Sequence, residues 1–168
     1  MNKNIIAHMF LKELEEEVAA TRKCLERIPE SLYDYKPHEK SMQMGYLSTI
    51  VAEVPKWISI TIEKGEIDFA TWKKYTLSTN ADLLKYFDDN IELAKNSLKK
   101  ISDEELTTKM FYLKMGDKEL MKSAKDESVA SQLRHWVHHR GQLTVYMRLN
   151  NIPVPSIYGP SADDNTFK

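Results

Sequence analysis

The chain has 168 residues, 42% apolar and 29% charged, a balance that fits one soluble globular domain with a buried core. Its 24 basic and 25 acidic residues leave a net charge of −1, so no basic excess is present to neutralise phosphates, and bulk nucleic-acid binding is excluded. No apolar run approaches membrane-spanning length, the opening MNKNIIAHMFLKELEEE does not read as a secretory signal, and the single cysteine, Cys24, excludes an internal disulfide; the expectation is a cytoplasmic protein with no membrane partner.

The first predicted helix carries Leu11, Leu14, Val18, Leu25 and Ile28 at steps of three, four or seven. Pro29, Pro37 and Ser41 separate it from a second helix, whose stripe is Leu47, Ile50, Val51, Val54, Ile58 and Ile62, with Gly65 after its end. The stretch GEIDFATWKKYTLST reads as an irregular link carrying Phe69, Trp72 and Tyr75. A third helix follows through Leu83, Phe87, Ile91, Ala94, Leu98 and Ile101, with Ser78 or Asn80 able to cap it. KMFYLKMGDKELMKS alternates loosely around Gly116 and Asp117, as a small hairpin or an extended connection would. The last helix runs through Val129, Gln132, Leu133, Trp136, Leu143 and Met147, and the proline- and glycine-rich end NNIPVPSIYGPSADDNTFK reads as an ordered tail packed across the helices. The expected architecture is a single all-α domain over 1–168, a four-helix bundle with long crossover connections.

Three histidines crowd the stretch RHWVHHRGQL. Each helical residue turns about 100°. With Trp136 at the centre of the buried stripe, His135 and His139 fall on one side of it, facing the edge of the core, whereas His138 points away. An i, i+4 histidine pair can hold one metal ion, because its imidazoles lie one turn apart on one face. The same pair can equally be two half-buried rings satisfied by carbonyls or carboxylates.

HWVHHRGQLTVYMRLNNIPVPSIYGPSADD resembles the end of the DinB/YfiT-like proteins, and KPHEKSMQMGYLSTIVAEVPKWI resembles that family's second helix. The resemblance implies a four-helix bundle, commonly a homodimer, often linked to stress responses, with a divalent metal such as zinc or nickel held by three histidines. Two of these match His135 and His139. The third falls in a pattern like LxxHIAEVP, which here reads LSTIVAEVP and puts Ile50 at the histidine position. Isoleucine has no donor atom, so the implied metal is weakly held or missing. Tyr46 and Glu53 lie one turn to either side of Ile50, and Glu53 is the candidate for a replacement carboxylate ligand, or else a solvated or salt-bridged residue.

Arg140 points to the core side, either as an anion clamp or as a buried ion pair with a carboxylate of the first helix or of the tail, Asp163 for instance. Gln142 and Tyr146 complete the candidate pocket, either hydrogen-bonding across it or satisfying buried backbone groups. Two functions are compatible with these residues. By resemblance, the chain is a metal-dependent thiol transferase acting on a small thiol. Alternatively, it is a metal-free dimeric binding bundle in which Ile50 fills the site and a small molecule is the ligand.

Overall fold

A computed structural model describes residues 4–166. Residues 1–3 and 167–168, which the single-domain expectation includes, lie outside the described residues. Each of the four periodic segments is a helix: α1 (Ile5–Glu26), α2 (Met44–Glu63), α3 (Asn80–Lys100) and, after a short α4 (Asp103–Thr108), α5 (Lys125–Leu149). The four long helices pack in a cycle, α1 against α3 and α5, and α2 against α3 and α5. Their apolar stripes meet in one core that includes Leu14, Val51, Phe87, Leu98, Leu133 and Trp136.

The all-α expectation is corrected by a three-stranded sheet, β1 (Glu66–Asp68), β2 (Met110–Met115) and β3 (Lys118–Ala124), in the order β1-β2-β3. β2 and β3 form a hairpin that turns at Gly116, whose φ of +60° is a conformation glycine adopts without steric cost. β1 joins in parallel, with Ile67 opposite Leu113. The Asp68 carboxylate fastens the hairpin turn to β1 by accepting from the Gly116 N–H at 2.8 Å. On the inward face of this sheet Ile67 and Phe111 are buried by the helices beneath, and Ser123, opposite Phe111, hydrogen-bonds Ser128 of α5.

Local chemistry sets the helix ends. Thr79, not Ser78 or Asn80, caps α3 by accepting from the Asp82 N–H, while the Ser78 hydroxyl donates to the Asp82 carboxylate. Ser102 caps α4, and the adjacent Asp103 carboxylate accepts from the free N–H groups of Ile6 and Ala7 at the start of α1. The tail is tied down, with Ile152 buried and Arg148 paired to Asp163. Among the described residues no helix is long and apolar enough to cross a membrane.

The joint between α2 and α5 begins with a proline. Pro55 lies inside α2 and has no N–H to offer the Val51 carbonyl four residues back. The buried Trp136 supplies the missing donor, its Nε1–H reaching Val51 O at 2.8 Å. Further bonds run antiparallel along the same seam: Lys125 Nζ to Ile62 O, Gln132 Nε2 to Thr61 Oγ1, and Tyr146 Oη–H to Met42 O. This register places His135 and His139, which flank Trp136, at the level of the Ile50–Trp57 stretch of α2.

Candidate functional site

The α5 periodicity divides the three histidines as the rotation argument requires. His139 is buried, His135 half-buried and His138 exposed. The Nε2 atoms of His135 and His139 lie 2.6 Å apart, and His139 Nδ1 lies 2.7 Å from Gln142 Oε1. An amide oxygen only accepts, so His139 carries its proton on Nδ1 and presents its Nε2 lone pair to the His135 Nε2–H. Burial, reinforced by the neighbouring rings His139 and His138, lowers the His135 pKa to about 4. Burial lowers that of His139 as well, against the opposing pull of Gln142. Both rings are therefore neutral at pH 7.

Trp57 of α2 packs against His135, with ring centroids 5.6 Å apart. Trp57 also lines a cleft of about 440 Å³ that neither histidine lines. Ile50, Glu53 and Trp57 line it at i, i+3 and i+7 of α2, with Tyr46 at its edge and Phe69, Trp72 and Tyr75 from the link before α3. Trp57 meets Phe69 and Trp72 edge-on, both with centroids 6.3 Å away. Glu53 is only 7% exposed, and its Oε1 accepts from the Tyr86 hydroxyl at 2.7 Å. Burial and this bond to a carboxylate push the Tyr86 phenol up, so it stays protonated and keeps donating. Tyr75 stacks on the Tyr86 ring at 3.9 Å, and the Lys56 ammonium lies 5.3 Å from the Trp72 centroid.

Among the proposed site residues, the structure thus brings Tyr46, Ile50 and Glu53 into one cleft, and His135, His139 and Gln142 into one hydrogen-bonded row beside Trp57. Arg140 and Tyr146 go elsewhere. The Arg140 guanidinium is buried against Glu17 of α1, donates to Thr21 Oγ1 at 3.0 Å and to the Tyr158 hydroxyl at 2.8 Å, and lies over the Tyr158 ring. The helix-one ion pair is therefore the arrangement present, with Asp163 taken by Arg148 instead. Tyr146 packs edge-on against Tyr35. Trp57, Tyr86 and Glu17 were not singled out in the sequence. Trp57 and Tyr86 lie on the flanks of their helices' apolar stripes, and only the packing of α2 against α3 and α5 reveals their partners.

The donor set can be compared with a divalent metal. Two ligands about 2.0–2.1 Å from a tetrahedral zinc stand roughly 3.3 Å apart, so the rings would have to part to take one. Ile50 offers no donor, and Glu53 is engaged with Tyr86. Among the described residues no group of three His, Cys, Asp or Glu side chains is placed to hold a metal ion.

The DinB family model matches residues 1–166. The fold is similar to the crystal structure of a DinB-like protein from Bacillus subtilis, with a TM-score of 0.70 and 20% identity over 94% of this chain and 99% of that one. It is also similar to that of a DinB-like protein from Bacillus cereus, with a TM-score of 0.67 and 18% identity over 94% of this chain and 100% of that one. At these identities the likeness concerns the fold. No functionally curated protein matches the sequence.

Proposed function

The chain belongs to the DinB family, and on that footing we propose that it is a small-molecule-binding member in which His135 and His139 form a neutral hydrogen-bonded pair behind the ligand cleft and do not complete a divalent metal centre. The cleft itself carries this reading: aromatic rings from α2 and the following link enclose about 440 Å³ beside Ile50 and the Glu53–Tyr86 pair. That volume is in the range of small-molecule sites, and apolar walls around a few fixed polar groups are their usual make-up. Two imidazoles and an isoleucine do not fit the three-histidine set that the family resemblance implies, so any zinc or nickel is held weakly.

A titration of EDTA-treated protein with the dye 8-anilinonaphthalene-1-sulfonate tests the reading. Saturable enhancement at one site, lost in Ile50→Trp while the far- and near-ultraviolet circular dichroism stays native, is the expected result. Enhancement that needs added zinc, or that survives Ile50→Trp, contradicts it.

One observation favours the metal-dependent thiol-transferase reading instead. The His135 and His139 Nε2 atoms converge on one point, and Gln142 fixes the His139 tautomer as the outer partner of a metal ligand would. We also propose that the chain forms a homodimer through the outer face of α5, where His138 and Gly141 continue into Val145 and Leu149, each 57% exposed.

A further inference from the structure

Glu53 has two carboxylate oxygens, and the fold uses one. Oε1 accepts from the Tyr86 hydroxyl at 2.7 Å. Oε2 has no hydrogen-bond partner among the described residues, and no lysine or arginine there forms an ion pair with the group. Oε2 is nevertheless not sealed into the core. The side chain is 7% exposed, and Oε2 stays within reach of solvent through the cleft that Glu53 lines. The amide oxygen of a glutamine would serve Tyr86 as well. A carboxylate held nine-tenths out of water without a cation is costly, and proteins normally pair such a group. The fold itself therefore gives no use to the negative charge at this point of the cleft wall.

The surroundings of that charge favour a cation. On α2, Ile50 and Trp57 lie one turn to either side of Glu53, with Tyr46 a turn beyond Ile50, and Trp72 joins them from the link. Aromatic faces attract cations. The protein shows this at the edge of the same group of rings, where Lys56 Nζ lies 5.3 Å from the Trp72 centroid and 5.7 Å from that of Tyr86. Lys56 itself does not line the cleft. Lys74 does, but it is exposed, so water and salt screen its charge.

We propose that the cleft takes an organic amine in its protonated form, whose ammonium donates to Glu53 Oε2 and whose apolar body lies among the aromatic rings. This rests on the reading of the cleft as a small-molecule site and adds the charge of the ligand. A neutral molecule fills the space but leaves the carboxylate unpaired. A quaternary ammonium gains from the rings but has no N–H to donate. An anion is repelled by Glu53 and gains only at the exposed Lys74, where the sulfonate of the anilinonaphthalene dye also finds a place.

Calorimetric titration of EDTA-treated protein with tryptamine and with tryptophol, its hydroxyl counterpart, tests the proposal. The amine is expected to bind one to one and at least about ten-fold more tightly than the alcohol, as a charge-assisted hydrogen bond requires. Glu53→Gln keeps an acceptor for Tyr86 and removes the charge, so with circular dichroism unchanged it should bring the amine down to the level of the alcohol. Ile50→Trp should abolish binding of both. Equal binding of amine and alcohol by the wild type, a preference for the amine that persists in Glu53→Gln, amine binding that survives Ile50→Trp, or no binding of the amine overturns the proposal. If the dye binds at the Ile50-sensitive site and the amine does not, this inference alone falls. If neither binds there, the reading of the cleft falls with it.

Discussion

The Trp136 indole donates to the Val51 carbonyl because Pro55 cannot. This substitution of a side-chain donor for a backbone one locks α5 onto α2 in the register that holds His135 and His139 beside Trp57 and level with Ile50. It also makes a sharp prediction. Trp136→Phe leaves a buried carbonyl unpaired and should cost about 1–3 kcal/mol from that alone. In a Pro55→Ala background the backbone N–H of residue 55 can return to Val51 O, so the same Trp136→Phe change should cost less. Urea unfolding of the four proteins of this cycle measures the difference. Additive costs would mean that the proline and the indole are unrelated.

The Arg140–Glu17 pair behaves as a buried ion pair, with Arg140 2% and Glu17 9% exposed. Arg140→Met leaves the Glu17 carboxylate buried without its cation, with only the Tyr158 hydroxyl still donating to it at 2.9 Å, and should lower stability by about 3–5 kcal/mol. Adding Glu17→Gln removes the stranded charge, so the double variant should recover part of the loss. Thermal unfolding checks this, and a double variant no more stable than Arg140→Met would show that the charge is not the cause.

The lowered His135 pKa has a definite sign in stability. A ring that stays neutral in the fold while the unfolded chain takes up a proton makes folding less favourable as pH falls from 6.5 toward about 4; below that both states are protonated and no further loss follows from this group. Nitrogen-detected imidazole spectra of EDTA-treated protein should show His135 neutral at pH 5.5, while the urea midpoint drops between pH 7 and pH 5. A His135 ring half-protonated near pH 6.5 would contradict the buried, hydrogen-bonded arrangement.

The proposed homodimer is tested at Val145. Val145→Glu places a charge in the middle of the outer α5 face, away from the core, and should convert a dimer to a monomer in sedimentation analysis without lowering the melting temperature of the fold. A wild-type chain that sediments as a monomer at concentrations of tens of micromolar would set that proposal aside.

Much of this fold was legible in the sequence for a physical reason. A helix about twenty residues long repeats its apolar face five or six times, and α1, α2, α3 and α5 do so. The sheet was not legible in the same way. β1 has three residues, too few for alternation to register, and its partner β2 lies more than forty positions later. The hairpin was half visible in Gly116. α4 had an unread signal in Ser102 and Glu105, spaced as a helix-starting pair. For the site, the His135–His139 pair followed from rotation alone, but the Glu53–Tyr86 bond and the packing of Trp57 against His135 depend on how α2 meets its neighbours, which no single segment encodes.

The most direct measurement of the central claim is the zinc and nickel affinity of EDTA-treated wild-type protein beside that of Ile50→His, with His135→Ala in each background as the control. The account predicts weak binding by the wild type, a gain of orders of magnitude when an imidazole is placed at residue 50, and loss of that gain with His135→Ala. Tight stoichiometric metal in the wild type, or no gain in Ile50→His, would contradict it.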